Sequence, residues 1–382
     1  MSIRKLLYHS AAPIAGAVAA LLTGAPAIAA ETNGYVISWF ATATYNIDFK
    51  GNCPEDRNGG NIAHQLRVLK SLGYADDVAK AIVQDSEHPL AREANNRAET
   101  RAVVNGNPAS IYNYPEAVPD PNLELSSGKY AYGFDLDGKI KDNDFQDPDT
   151  GVKVDNQLWR AVGCTESFTA TPPDKPYYED LTWNLMVDSA PGWAVRITGE
   201  DLSKDGPVKV ILDRVTQHFD RSAAGGILHN MTYVIDPSSR SHNEFEGEIK
   251  DGVLWVKNGG NLYLEGEMPY HHEIALRNTH MRIKRQDNQE LVGYWGGYLD
   301  WKNWVYMYTA RPVNGEDTIG IYHALKKSAD ADPDPKTGQN RFISATWRME
   351  AVPAYLADIS GKIIAAPATT IPPQKLADSS AE

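Results

Sequence analysis

The chain has 382 residues, of which 42% are hydrophobic and 23% are charged, a composition typical of a folded globular protein. Its 37 lysines and arginines are outnumbered by 50 aspartates and glutamates, which gives a formal net charge of -13. Nucleic acids and anionic membranes are bound through clustered Lys and Arg, so this balance argues against a surface built to neutralise phosphates. We expect no nucleic-acid partner.

The first thirty residues have the pattern of a secretory signal peptide. Arg4 and Lys5 precede an uncharged apolar run over 11–22, and small residues follow over 27–30. The apolar run is shorter than the roughly 17 to 25 residues that a membrane-crossing helix needs. We therefore predict that residues 1–30 are cleaved, that the mature chain is periplasmic or secreted, and that it has no transmembrane segment.

Two cysteines, Cys53 and Cys164, are the only ones in the chain. An exported protein matures in an oxidising compartment, where a single pair of this kind forms a disulfide. We predict a Cys53–Cys164 bridge. The alternative is two separately buried thiols, because the spacing matches neither a redox pair nor a zinc or haem motif.

Residues 31–129 are predicted to form a strand followed by a helical region. The segment 35–49 is rich in β-branched and aromatic residues, which is typical of a strand. Over 61–83, apolar residues recur at three- and four-residue steps with Gly73 between them, which predicts two short helices. A third helix, mostly polar, is predicted to begin near Pro89.

Residues 130–356 are predicted to be a β-rich body. Short alternating or apolar runs are separated there by Gly, Asp, Asn and Pro, which favours a mainly β fold, sandwich-like or an open barrel, with a small helical N-terminal portion. A flexible tail is predicted over 357–382. The predicted strands are 181–187, 193–197, 208–212, 231–235, 253–256, 281–285, 305–310, 319–325 and 342–349.

An Asp-rich loop is the first candidate site. Carboxylates at this density repel one another unless a cation or nearby Lys and Arg compensate, and oxygen ligands in a Gly-containing loop suit Ca²⁺. The sequence supports two interpretations, a structural Ca²⁺ site or a solvated acidic turn whose side chains cap backbone N–H groups. The candidate ligands are Asp135, Asp137, Asp142, Asp144, Asp147 and Asp149.

Histidines form a second group at His271, His272 and His280, with Glu273 beside them. The spacing does not match the HExxH pattern of a metalloprotease helix. On a strand, His272 and His280 would share a face but lie too far apart to chelate a metal alone. We predict ordinary surface or hydrogen-bonded histidines, with a transition-metal site as the alternative.

An aromatic-rich region at 294–308 is the third candidate site. Exposed aromatic faces stack against sugar rings and planar ligands, and the polar residues between them would bind hydroxyl groups. The alternative is that these side chains fill the core of a sheet. The candidate ligand-binding residues are Tyr294, Trp295, Tyr298, Trp301 and Trp304.

These features favour an exported binding or accessory protein of the cell envelope that recognises a carbohydrate or other small ligand through the aromatic region. A second hypothesis is a secreted hydrolase of a polysaccharide or ester that uses Asp, Glu or His residues remote in sequence; convergence of two carboxylates, or of three histidines, in one pocket would favour it. A third is a structural or assembly partner, for which an exposed apolar patch would be the sign.

Overall fold

The protein is described by a computed structural model that covers residues 30–45, 49–53, 61–170, 174–268, 271–309 and 317–368. The predicted signal peptide, except Ala30, lies outside these residues. Strands account for 38% of the structure and helices for 22%, which confirms the mainly β prediction.

The elements follow one another along the chain as helices α1 to α8 and strands β1 to β17. The helices are α1 (Phe49–Asn52), α2 (Asn61–Ser71), α3 (Asp76–Gln84), α4 (Ala91–Glu99), α5 (Gln157–Val162), α6 (Tyr177–Ser189), α7 (Trp301–Thr309) and α8 (Asp317–Ser328). The strands are β1 (Glu31–Thr42), β2 (Ala102–Val104), β3 (Asn107–Ala109), β4 (Phe145–Gln146), β5 (Lys153–Val154), β6 (Trp193–Gly199), β7 (Gly206–Arg214), β8 (Thr232–Val234), β9 (Asn243–Lys250), β10 (Val253–Val256), β11 (Leu262–Met268), β12 (His271–Arg285), β13 (Leu291–Asp300), β14 (Ala331–Pro333), β15 (Asn340–Pro353), β16 (Tyr355–Ala357) and β17 (Ile363–Ala365).

The main sheet is a closed antiparallel barrel of eight strands. Its order is β1, β6, β7, β9, β10, β12, β13 and β15, so each strand pairs with the next one of this set along the chain. The sheet closes because β1 pairs with β6 through one edge and with β15 through the other. Strands β11 and β14 extend the sheet at its margins by pairing with β12 and β15.

The barrel interior is filled by alternate side chains of these strands, as the two-residue period of a strand requires. Four large rings meet inside it: Phe40 lies 5.6 Å from Trp193, 5.2 Å from Trp295 and 6.3 Å from Trp347 between ring centroids. All four are buried. Because these rings fill the interior from the inward-facing positions, the alternate positions of each strand face outward and can carry polar side chains.

The predicted helices near the N-terminus are present as α2, α3 and α4. The break between α2 and α3 falls at Gly73, whose φ of +92° favours glycine. The three helices enclose a small core of their own, made by Leu69, Ala79, Ile82, Ala91 and Ala94.

Three predicted strands are wrong, because 181–187 lies in α6, 305–309 in α7 and 319–325 in α8. Short apolar runs do not distinguish a strand from a buried helix. Flanking charges carry the helical signal instead: Glu179 and Asp180 occupy the first turn of α6. In the described part of the chain, no helix is long and apolar enough to cross a membrane.

The segment predicted as a flexible tail contains an ordered strand. Strand β17 pairs with β16, and the N–H of Gly34 donates to the carbonyl of Ala366. Residues 369–382 lie outside the described residues.

The predicted disulfide is confirmed. Cys53 and Cys164 are bonded, with their Cα atoms 5.7 Å apart and a sequence separation of 111. The bridge joins the end of α1 to the turn after α5. It thereby ties the N-terminal region to the chain that follows the Asp-rich loop.

Candidate ligand-binding groove

A row of aromatic and cationic side chains crosses four neighbouring strands on the outer face of the barrel. Trp255 on β10 lies opposite Arg282 on β12, Arg282 lies opposite Tyr294 on β13, and Tyr294 lies opposite Arg348 on β15. Adjacent strands are about 4.8 Å apart, so the row spans roughly 14 Å. Strand register alone brings these four residues together.

Two adjoining cavities, of about 550 Å³ and 250 Å³, lie along this row, and together we term them the outer groove. They share Tyr132, Tyr294 and Arg348 in their walls. Trp255 lines the larger cavity, and Trp39 lines the smaller one. The outer groove therefore has an aromatic ring toward each end and a tyrosine pair in the middle.

Tyr132 and Tyr294 are stacked, with ring centroids 4.5 Å apart and an angle of 15° between the ring planes. Their hydroxyl groups are hydrogen-bonded to each other, and burial raises the pKa of both. Both phenols are therefore protonated at neutral pH and act as hydrogen-bond donors as well as acceptors.

A buried ion pair holds the loop that forms one wall of the groove. The guanidinium of Arg282 donates to both carboxylate oxygens of Asp147, at 2.8 and 3.1 Å, and also to Asp149 at 3.0 Å. Asp147 accepts a further hydrogen bond from the N–H of Gly133, next to Tyr132. The charge of Arg282 is thus compensated, and its role is to fix the loop.

Two further contacts position Tyr132. The Asn156 side chain donates to the carbonyl of Tyr132 at 2.8 Å and also caps helix α5 by accepting from the N–H of Trp159. Phe134 packs against Gly296, where an added Cβ would lie 2.5 Å from the ring. The loop therefore reaches its place over β13 only because position 296 has no side chain.

Arg348 is an exposed cation in the middle of the groove. Its side chain is 44% exposed and donates to Glu350 two residues along the same strand, at 2.8 and 3.1 Å. An exposed pair of this kind adds little to stability. Its guanidinium keeps donors directed to solvent, where they can bind a ligand oxygen.

The smaller cavity contains carboxylates in unequal surroundings. Glu179, from the first turn of α6, is only 4% exposed, and burial raises its pKa well above the usual range. Asp174 and Glu350 line the same cavity but are exposed or half-buried. The ammonium of Lys175 lies 3.2 Å from the centre of the Trp39 ring, and burial lowers its pKa.

The aromatic residues singled out in the sequence do not share one surface. Trp295 and Trp301 are fully buried, and Trp304 is nearly so. Tyr298 is half-buried, away from the outer groove, and burial raises its pKa. Of the five, Tyr294 is the one that lines the groove.

The Asp-rich loop brings two of its six candidate ligands together with a third carboxylate. Oxygen atoms of Asp135, Asp137 and Asp155 all lie within 4.8 Å of one another. Asp155 is nearly inaccessible, and burial raises its pKa to about 6. The ammonium of Lys141 lies 2.7 Å from Asp137 and 3.8 Å from Asp155, so the chain itself supplies one positive charge.

The other predicted ligands are used elsewhere. Asp147 and Asp149 bind Arg282, Asp144 accepts from the N–H of Lys141 at 2.6 Å, and Asp142 is exposed. Several of the loop carboxylates cap local N–H groups, as the alternative interpretation expected; Asp135, for example, accepts from Gly138 at 2.8 Å. The Ca²⁺ site stays a prediction.

His280 lies on the outer face of β12, buried beside Phe134, and burial lowers its pKa. The side chains of His271 and His272 lie outside the described residues. Among the described residues, His280 belongs to no group of metal-binding side chains.

Most groove residues were not singled out in the sequence, among them Tyr132, Lys175, Glu179, Trp255 and Arg348. One signal was present: Arg348 and Glu350 alternate with Trp347 and Met349, which marks a polar outer face on β15. The residues that lie beside Arg348 and Glu350 on the neighbouring strand depend on strand register, which the sequence pattern does not give.

No protein-family model, no curated protein and no solved structure matches the chain. The chemistry of the outer groove is therefore the basis on which a function is assigned.

Proposed function

We propose that the protein is an exported binding or accessory protein of the cell envelope that recognises a carbohydrate in the outer groove. The observation that carries this proposal is the row of Trp255, Tyr294 and Arg348 across neighbouring strands. Aromatic rings stack on the apolar faces of sugar rings, while the arginine and the tyrosine hydroxyls bind sugar hydroxyl groups.

The charge of the groove supports a polar but neutral ligand. Its walls contain the cations Lys175, Arg282, Lys284 and Arg348 together with the carboxylates Asp149, Asp174 and Glu350. Several of these charges already pair with one another. A strongly charged polymer would meet repulsion from one sign or the other, whereas hydroxyl groups accept and donate to both.

The test combines a glycan array with calorimetric titration of the oligosaccharide that binds best. Trp255→Ala removes a stacking surface, and Arg348→Gln removes the exposed donor. Each should weaken binding by about tenfold or more, which is the effect of losing a charged hydrogen bond or an aromatic contact.

Arg341→Gln is the matched control, because Arg341 is also an exposed arginine on β15 and also pairs with an acid, Asp332 at 2.7 Å, away from the groove. Its affinity should equal that of the wild type. The proposal would be contradicted if no glycan binds, or if Arg341→Gln and Arg348→Gln lower the affinity for the oligosaccharide equally.

A second candidate function, hydrolysis of a glycoside or ester, is favoured by the carboxylates of the smaller cavity. Glu179 is buried, and burial raises its pKa well above the usual range, as a general acid requires, while Glu350 pairs with Arg348 at 2.8 Å. Perturbed carboxyl groups of this kind are common in active sites and also occur as structural groups.

Nitrophenyl glycosides and nitrophenyl esters test the hydrolase hypothesis. Glu179→Gln should abolish turnover and leave the melting temperature unchanged, while Asp180→Asn, on the exposed side of the same helix turn, should keep full activity. Wild-type protein that turns over none of these substrates would contradict this second function.

We also propose that Ca²⁺ binds at Asp135, Asp137 and Asp155 rather than at all six carboxylates predicted from the sequence. Support comes from Asp155, which has a buried carboxylate oxygen without a hydrogen-bond partner in the described part of the chain. Adding Ca²⁺ to EDTA-treated protein should raise the melting temperature of the wild type and of Asp142→Asn, but not of Asp155→Asn. An unchanged wild-type melting temperature would contradict the site.

A further inference from the structure

A separate cavity of about 480 Å³ opens at one end of the barrel. We term it the barrel mouth. It is bounded by the turn between β6 and β7, the turn between β9 and β10, the turn between β12 and β13, and the start of β1. It lies inside the barrel wall, whereas the outer groove lies outside it.

The wall of the barrel mouth is about half apolar, because the strands contribute mainly apolar side chains and the turns mainly polar ones. Inward-facing side chains from six strands line it, including Tyr35 of β1, together with Leu202 from the turn between β6 and β7. The apolar strand residues are Ile197, Ile249, Leu254, Ile283 and Leu291.

One cation stands among these apolar side chains. Arg285 shares the inward face of β12 with Ile283, and its guanidinium donates to the hydroxyl of Tyr35 and, at 3.5 Å, to the carbonyl of Leu202. Among the described residues, Arg285 makes no ion pair. A half-buried guanidinium in this position is a binding site for an anionic group.

The neighbouring carboxylate of Glu31 is already hydrogen-bonded to other groups. Asn33 is buried and donates to one oxygen of Glu31, and the other oxygen accepts from the N–H of Leu202.

The rim carries charges of both signs, with Asp251 and Asp287 opposing Lys284. These two carboxylates would repel a multiply charged anion more strongly than a monoanion, whose single charge Arg285 alone can pair. The combination of an apolar wall and one inward cation is the chemistry that recognises an amphiphile with a small anionic head.

We propose that the barrel mouth binds a straight-chain aliphatic carboxylate. The carboxylate group is held by Arg285, and the alkyl chain lies along the apolar wall formed by the inward-facing strands. The two cavities share Lys284 and Gln286 in their walls, whereas Arg285 and the apolar strand residues line the barrel mouth and not the outer groove.

Calorimetric titration of the full mature protein with decanoate, below its micelle concentration, tests the proposal. Decanoate should bind the wild type about tenfold or more tightly than decan-1-ol, and butanoate should bind weakly because its chain is short. Arg285→Gln should reduce decanoate affinity by about tenfold and leave decan-1-ol affinity unchanged. The decanoate affinity of Arg285→Lys should lie between those of Arg285→Gln and the wild type.

Lys250→Gln is the matched control, since it removes the same charge from the outer face of β9 near the same end of the barrel. It should bind decanoate like the wild type. No binding of decanoate to the wild type, equal affinity for decanoate and decan-1-ol, or equal affinity in Arg285→Gln and wild type would each overturn the proposal. The comparison of decanoate with decan-1-ol needs no variant, so it stands even if Arg285→Gln fails to fold.

Discussion

Two arginines of the same cross-strand row have different roles. Arg282 is buried and donates to both oxygens of the fully buried Asp147, whereas Arg348 is exposed and, within the described part of the chain, pairs only with its near neighbour Glu350. Burial decides between the roles, because a buried charge needs its partner and an exposed charge is free to bind a ligand.

Arg282→Gln should therefore destabilise the protein, since it leaves the Asp147 carboxylate buried and incompletely paired. The expected loss is about 3 to 5 kcal/mol of unfolding free energy. Arg348→Gln should change it by less than about 0.5 kcal/mol. Urea unfolding of both variants measures the difference, and equal stabilities would show that the buried pair does not hold the loop.

Asp155 gives the stability a pH dependence. Burial raises its pKa from 3.8 to about 6, so the folded protein retains a proton that the unfolded chain has already lost. The free energy of unfolding therefore falls as the pH rises from about 4 to about 6. Above that range, ionised Asp155 lowers it by the full amount, about 3 kcal/mol.

In EDTA, Asp155→Asn should be more stable than the wild type at pH 8, and the advantage should shrink as the pH falls toward about 4. The asparagine oxygen still accepts from the N–H of Leu136, as Asp155 does at 2.9 Å. Urea unfolding across this pH range measures the advantage. A variant that is less stable than the wild type at pH 8 in EDTA would show that the ionised carboxylate is stabilising.

At the scale of elements, the Asp-rich loop works as the wall of the outer groove. It contacts β12 through Asp147 and Arg282, and β13 through Phe134 and Gly296. Its carboxylates, which suggested a metal in the sequence, mostly bind Arg282, Lys141 or local N–H groups. Of these partners, Arg282 lies on a strand distant in sequence, whereas Lys141 and the N–H groups belong to the loop itself.

Gly296→Ala tests the placement of this loop. The added methyl group would lie 2.5 Å from the Phe134 ring, so the ring and the loop that carries Tyr132 must move outward. We expect faster hydrogen exchange over 130–150 and weaker glycan binding, with the barrel strands still protected. Gly206→Ala, where an added Cβ meets nothing within 4 Å, is the control and should exchange like the wild type.

The elements differ in how far the sequence predicts them. Helices α2 and α3 have apolar residues at three- and four-residue steps with a Gly between them, and β7 and β15 have alternating or apolar runs. The local pattern was therefore sufficient to predict these elements. Helix α6 is apolar on several sides because it packs into the main core, which removes the periodic signal that distinguishes a helix. The opening strand was predicted over 35–49, whereas β1 ends at Thr42 and Phe49 begins α1. The pairing of β1 with both β6 and β15, which closes the barrel, involves residues more than 150 positions away.

The candidate groove was less predictable than the fold, because strand pairing brings its residues together from distant parts of the sequence. Tyr294 was identified as an aromatic of interest, yet its neighbours Trp255, Arg282 and Arg348 come from three other strands. A one-residue change of register would place each of them on the opposite face. The alternation of a strand predicts which residues share a face, but the register between strands determines which residues become neighbours.

At the scale of the whole molecule, the barrel wall separates two candidate binding sites. The outer groove is lined by outward-facing residues such as Tyr294, and the barrel mouth by inward-facing residues such as Ile283. The middle of the barrel is filled by Phe40 and the tryptophans around it, so the mouth does not continue through the molecule as an open channel.

The disulfide constrains the whole chain. Replacing both Cys53 and Cys164 by serine opens a covalent loop that spans the helical region and the Asp-rich loop. The chain-entropy treatment gives a loss of about 4 to 5 kcal/mol for a loop of roughly a hundred residues. Thermal unfolding of the double variant measures this loss, and a melting temperature equal to that of the wild type would contradict it.

The central claim is that the outer groove binds a carbohydrate, and hydrogen–deuterium exchange with the array-selected oligosaccharide tests it most directly. Slower exchange is predicted in the loop around Tyr132 and in strands β10, β12, β13 and β15, with the helical region around α2 to α4 unchanged. No change in exchange at a saturating oligosaccharide concentration, or protection confined to segments outside the groove, would contradict the claim.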